Sequence, residues 1–250
     1  VNDLAMELHG AAHRGEIRAV YQPQIDLATN RIVSVETLSR WEHPVHGPIP
    51  PSEFIPLAET SDAIDEIGEF MLDRGAECAA ILKGHGLSIE VSVNVSVQQL
   101  RSASVAEAIS RNLAEHELEP SLLTIEITES TSVGSVAGAA ERLLAIRELG
   151  IGLSIDDFGT GHSSVAQLLS MPATELKIDQ SIVQRDDDAA RQLIAEAVEL
   201  CHAMGVRVVA EGVETVDHLE RARELGCDRA QGYAIGRATS LSELEAMLLA

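Results

Sequence analysis

Asn94, Glu126, Asp156, Lys177, Glu211 and Gln231 stand at or near the ends of six successive short, β-like apolar runs. Glu36 lies late in an earlier run of the same kind, and Asp157 follows Asp156 directly. One polar strand end is ordinary, since a helix cap, a loop hydrogen bond or an arginine partner explains it. Six in register on consecutive strands imply one shared site. Glu36, Glu126, Asp156, Asp157 and Glu211 bring about −5 into that site, and Lys177 returns about +1. Carboxylates crowded in this way either take up protons or are neutralised by cations. Two divalent ions close the balance. The donors are oxygens and one amide, with no Cys or His, which favours magnesium or manganese over zinc. Two such ions roughly 3.5–4 Å apart, bridged by a carboxylate, are the usual device for in-line attack of water on a phosphodiester. Metal-dependent phosphodiester hydrolysis is the chemistry these residues suggest. A barrel lyase with Lys177 as base and one magnesium ion fits the same set.

Such residues must be carried by a scaffold that brings strand ends together. Strand-like runs cover 17–25, 31–40, 88–96, 122–128, 151–156, 174–179, 206–211 and 229–233. Segments 62–83, 103–116, 136–149, 187–204, 215–225 and 241–249 space their apolar residues as helices do, and 161–171 reads as one more short helix. Eight strands alternating with helices predict an α/β fold, either a TIM-type (β/α)8 barrel or a large doubly wound sheet. In a barrel the carboxyl ends of the parallel strands converge on one face, where active sites are built. Only DLATN (26–30) joins the first two strands, whereas a parallel crossover needs about a dozen residues. The first strand is therefore antiparallel and the barrel a modified one. Without a Ser/Gly/Pro-rich linker or a repeat of fixed period, residues 1–250 read as a single domain.

Composition narrows the partners. The 250 residues hold 18 Lys+Arg against 40 Asp+Glu, a net charge of −22. That excess opposes broad binding to DNA, RNA or anionic lipid, which needs clustered basic side chains. A small phosphate substrate stays compatible if metal ions supply the positive charge. No apolar run approaches the roughly 18 residues of a membrane helix. The chain opens at Val1 with no basic-then-apolar leader, which reads as a domain excised from a longer protein. Cys78, Cys201 and Cys227 form no CxxC pair, as expected of a reducing, cytoplasmic compartment.

Lesser signals attach to the same framework. Arg40 follows Glu36 closely and either grips a phosphate or pairs with a carboxylate such as Glu36. Tyr21, Trp41, Phe158 and Tyr233 fall near strand ends or site loops, where a nucleobase could stack. His9 and His13 read as one face of a surface helix, and His43 and His46 as loop residues among prolines. The run Asp186–Asp188 reads as solvated charge at a helix start.

The stretches VYQPQID, VETLSRWEHP, PPSEFIPLAE, VSVNVS, LTIEITES, LSIDDFGTGHSS, LKIDQS, VVAEGVET and LGCDRAQGY together resemble the EAL domain family, in that family's order. They span the chain from Tyr21 to Tyr233. The resemblance implies a modified barrel that hydrolyses cyclic di-GMP to linear pGpG with two divalent cations, Mg2+ or Mn2+. It assigns Glu36, Asn94, Glu126 and Asp156 to metal, with Asp156 bridging, and Asp157 to the second ion. Glu211 would bind that ion or hold the attacking water, and Lys177 would orient the water or offset phosphate charge. Gln231 would support the metal–water network, while Gln22 and Arg40 match positions that touch substrate. Glu129 would anchor the DFGTG loop that couples the site to a homodimer, and regulatory domains would belong to the longer chain.

Some positions depart from the family pattern. Thr37 stands for the middle Ala of the name motif, His162 for a Tyr, Gln180 for an Arg and Ile182 for a Phe, and a Pro is missing after Arg237. These touch loop and helix contacts more than the carboxylates. A second class of function, a receptor that holds the dinucleotide without cutting it, is separated from the enzyme by product formation.

Overall fold

The computed structural model describes residues 2–101, 104–128, 138–160 and 171–249. Nine strands among the described residues form one sheet: β1 (Ile17–Asp26), β2 (Ile32–His43), β3 (Gly47–Ile49), β4 (Glu90–Asn94), β5 (Leu123–Thr128), β6 (Gly152–Phe158), β7 (Glu175–Ile178), β8 (Arg207–Ala210) and β9 (Arg229–Gln231). Their order is β1-β9-β8-β7-β6-β5-β4-β2-β3, and a further β1–β2 pairing closes eight of them into a barrel. β1 runs antiparallel to both neighbours, Gln22 facing Glu36 on one side and Gln24 facing Gln231 on the other. The remaining barrel pairs are parallel. The short join at 26–30 thus marks the one reversed strand.

Apolar packing lies outside the barrel wall. Ile125, Ile127, Leu153 and Ile155 point outward from β5 and β6 and are fully buried under helices. The covering helices include Ala63–Gly84, Ser104–Glu115, Ala139–Glu148, Asp188–Ala203 and Val216–Glu224. Because side chains alternate with a period of two, the inner faces hold what remains. Ser34, Ser92, Thr124 and Ser154 share faces with Glu36, Asn94, Glu126 and Asp156, and all four are buried. TIM barrels more commonly fill this space with branched apolar residues. This lumen is polar.

Its far end is closed by charge. Glu90, Glu175, Arg207 and Arg229 each open a strand, so they meet at the mouth opposite the strand ends. Arg207 and Arg229 both grip the Glu90 carboxylate with two nitrogens at 2.9–3.0 Å. Both also lie 3.4 Å from Glu175. Two cations face two anions there, so the floor is balanced within itself.

Several local expectations shift. The helix Pro51–Thr60 was hidden by prolines; Pro51 sits at its start and Pro56 within it. The helix before His9 ends at Leu8, leaving exposed His9 and His13 in the turn that follows. His43 is not a loop residue: it ends β2, is 6% exposed, and lies 2.7 Å from Glu7 Oε2 through Nε2. The acidic run does cap a helix, with Asp187 accepting from Ala190 N. The helix expected at 161–171 and residues Glu129 and His162 lie outside the described residues, Met171 excepted.

Breaking the floor leaves buried charge unpaired. Arg229→Ala is expected to cost about 3 kcal/mol of stability, read as a lowered urea midpoint. An unchanged midpoint would show that the floor charges are not held against each other.

Candidate active site

Lys177, next to last in β7, is fully buried, with carboxylates around its Nζ. Glu126 Oε2 and Glu211 Oε1 each lie at 2.8 Å, and Glu36 Oε2 and Asp156 Oδ1 each at 3.3 Å. Glu126 is 0%, Glu36 5% and Asp156 8% exposed. Four strands and the residue after a fifth therefore deliver these groups to one point, as the strand-end pattern requires.

Local geometry explains how consecutive acids reach it together. Neighbouring strand residues normally point to opposite faces. At Asp156–Asp157 the β6–β7 register slips, and Asp157 takes a left-handed φ of 61°. Both side chains line the same two cavities. A non-glycine residue in that region is strained and persists where its surroundings dictate it. On the other side, Gly232 lets β9 press against the chain after Glu211, since a Cβ there would stand 2.3 Å from Val213 N and O. Val213 N donates to Gln231 O at 3.0 Å across that approach.

Glu36 is oriented from three sides. Asn94 Nδ2 donates to its Oε1 at 2.8 Å, Gln231 Nε2 to its Oε2 at 2.6 Å, and Lys177 to the same Oε2. Burial opposes its charge, but Lys177, Gln231 and Asn94 outweigh burial and hold its carboxyl below the usual range. Elsewhere crowding wins. Burial and then Glu36 push Glu126 well up; burial and then Asp156 do the same to Glu211. Asp157 is pushed up to about 6 by burial, Asp156 and Asp179. Burial opposes the Lys177 charge too, yet Asp156, Glu126, Glu211 and Glu36 together raise its pKa well above the ordinary lysine value.

The donor set fits divalent cations. Glu36, Glu126 and Asp156 place carboxylate oxygens within 4.8 Å of one another, and so do Asp156, Asp157 and Glu211. Asp156 belongs to both groups. Glu126 Oε1 is buried without a hydrogen-bond partner among the described residues, which a cation in the first group would remedy. All donors are oxygens, as hard cations prefer.

Two cavities of about 300 and 310 Å3 flank the cluster and share Glu36, Leu38, Asp156 and Asp157 in their walls. One runs between apolar residues such as Ile55, Ile64, Ile67 and Met71, with Glu59 and Gln99. The other is lined by Gln22, Asp179, Gln180, Glu214, Gln231 and Tyr233. Gln22 thus reaches the site, its Nε2 donating to Gly236 O at 3.2 Å.

Arg40 lines neither cavity; its guanidinium donates to Ser39 O, and Glu36 is met by Asn94, Gln231 and Lys177 instead. Of the four aromatics, Tyr21, Trp41 and Phe158 are buried in the packing. Tyr233 alone among them is exposed, with Arg237 stacked 4.1 Å from its ring centre. Thr37 points away from Glu36, toward Gly75 of the covering helix. Gln180 forms part of a cavity wall, whereas Ile182 is buried against Gly159. Asp179 went unnoticed in the sequence, although it stands two residues after Lys177.

The chain belongs to the EAL domain family, whose model matches residues 5–238. It is 38% identical over 246 residues to the bifunctional diguanylate cyclase/cyclic di-GMP phosphodiesterase MucR of Pseudomonas aeruginosa, covering 96% of this chain and 36% of that protein. It is 37% identical over 225 residues to the cyclic di-GMP phosphodiesterase RocR of the same organism, covering 89% of this chain and 57% of RocR. The chain is thus about a third as long as MucR. A solved structure described as the PaMucR phosphodiesterase in a c-di-GMP complex matches with a TM-score of 0.89 and 36% identity, over 97% of this chain and 99% of that one.

Cation binding here must displace a proton from Asp157 at acid pH. Glu126 and Glu211, both raised well above the ordinary range, must give up protons as well, so affinity for Mn2+ is expected to rise at least tenfold per pH unit below roughly 6 and to go on rising above it. Calorimetric titrations between pH 5 and 7.5 measure this; an affinity flat across that range contradicts the assignment of Asp157.

Proposed function

We propose that this domain hydrolyses cyclic di-GMP to linear pGpG with two divalent cations, Mg2+ or Mn2+. The observation that carries the reading is Asp156, shared between two three-carboxylate groups in a pocket holding one lysine. Glu36, Asn94, Glu126 and Asp156 would hold one ion, and Asp156, Asp157 and Glu211 the other. When bound, the ions supply Lewis-acid charge to a phosphate oxygen and make water a nucleophile at neutral pH.

The chain's own residues do the rest. A phosphodiester is an anion, and five carboxylates would repel it were their charge not offset. Lys177 stays protonated and fixed, so its Nζ can donate to the attacking oxygen or to the phosphate as charge develops. Glu211 can accept a hydrogen bond from the attacking water. Attack at phosphorus breaks the bond to the 3′ oxygen, which takes up a proton, leaving the 5′-phosphorylated linear dinucleotide. Cavities on both sides of the cluster suit a ligand with a nucleoside on each side of its phosphates. Tyr233, exposed and backed by Arg237, offers one base a stacking surface.

Incubation with cyclic di-GMP and Mn2+, followed by separation of the nucleotides, tests this. The chain is expected to form pGpG and Glu36→Ala to form none. Full activity in Glu36→Ala would sink the metal assignment, and tight binding without product under both ions would make the domain a receptor. Tyr233→Ala is expected to raise KM about tenfold with kcat little changed, since one stacked base is worth about 1–3 kcal/mol. An unchanged KM would remove Tyr233 from the substrate surface.

A further inference from the structure

Gln24 has no place in the cluster described above, yet it is 1% exposed inside the barrel. It faces Gln231 across the β1–β9 ladder. Its Nε2 donates to Gln231 Oε1 at 2.7 Å, and Gln231 Nε2 donates to Glu36 Oε2 at 2.6 Å. The order of this chain is dictated from its far end. An ionised carboxylate only accepts, so Gln231 must turn its NH2 toward Glu36 and its carbonyl away. That buried carbonyl then needs a donor, and Gln24 supplies it.

Gln24 Oε1 has no hydrogen-bond partner among the described residues. The half of its amide that is used is therefore the half that serves Gln231. Without that donor, the Gln231 carbonyl would be left unpaired in a site where it is 4% exposed. Rotating the amide to escape would present an oxygen to the Glu36 carboxylate, oxygen against oxygen. Either way, one of the three groups that orient Glu36 is loosened.

We propose that Gln24 is a positioning residue that acts through Gln231 to hold the Glu36 carboxylate in the orientation that binds a divalent cation. The inference rests on reading the cluster as a cation site. A direct partner of a metal ligand, as Gln231 is of Glu36, is worth about 10–100-fold in metal affinity, and Gln24, one hydrogen bond further out, stands at the lower end of that range.

Mn2+ titrations followed by the electron paramagnetic resonance signal of the free ion test it on the chain, Gln24→Met, Gln231→Met and the double variant. Met keeps the length of the side chain and removes the donor. Gln24→Met is expected to weaken Mn2+ binding about tenfold and Gln231→Met by about 10–100-fold, with the double variant no weaker than Gln231→Met. Gln24→Asn, which withdraws the amide by one methylene, is expected to behave as Gln24→Met and serves if that variant unfolds; melting in chelator decides which is used. An affinity within about twofold of the parent, or costs that add in the double variant, would overturn the proposal. Failure of the parent chain to bind Mn2+ would overturn the cation-site reading and this inference together, whereas parent binding with unaffected Gln24 variants overturns this inference alone.

Discussion

The buried ammonium of Lys177 is the group about which this barrel is arranged. Its Nζ lies within 3.3 Å of carboxylates from Glu36, Glu126, Asp156 and Glu211. One positive charge cannot balance these and Asp157, so the lumen cannot be the apolar core common to such barrels. The consequences reach across the molecule. Apolar packing is displaced to the space between wall and helices. Amide side chains of β4 and β9, Asn94 and Gln231, donate to Glu36, and Gln24 of β1 donates to Gln231 behind it. The opposite mouth pairs Glu90 and Glu175 with Arg207 and Arg229, so its charges do not draw on those of the site.

The same excess of negative charge links structure to reaction. Carboxylates that are pushed toward protonation without cations become ligands when cations arrive, and the pocket then turns from repelling a phosphate to attracting one. Strain at Asp157 has a place in this, because only the register slip at the end of β6 lets two consecutive aspartates serve one centre. The reversed strand has a place too. Running β1 antiparallel sets Gln22 beside Glu36 and Gln24 beside Gln231, positions that an eighth parallel strand would fill from the other direction.

Much of this was legible in the residues. Strand-end polar groups at Asn94, Glu126, Asp156, Lys177, Glu211 and Gln231 announce a convergent site, because period-two alternation and barrel closure leave them little else to do. The five-residue join after β1 reveals its direction, since crossover length is a hard geometric limit. What sequence pattern missed depends on tertiary context. The aromatics Tyr21, Trp41 and Phe158 pack outward although they flank site residues, because one step along a strand reverses the face. Of the prolines that hid the helix Pro51–Thr60, Pro51 suits the first helical position, and Pro56 stands within a helix that buries Phe54 and Ala58. Gln24 could have been found, since it shares a strand face with Gln22, but a lone glutamine in a strand carries no chemistry until its partner is known.

Counting the cations tests the central claim most directly. Equilibrium dialysis of the chain against Mn2+, with the bound metal measured by elemental analysis, should give two ions per chain, and markedly fewer after Asp156→Asn, the residue common to both carboxylate groups. A chain that binds no Mn2+ at saturation would show that Lys177 and protonation alone balance this pocket, and one that binds two ions as tightly without the Asp156 carboxylate would show that Asp156 does not join the two groups.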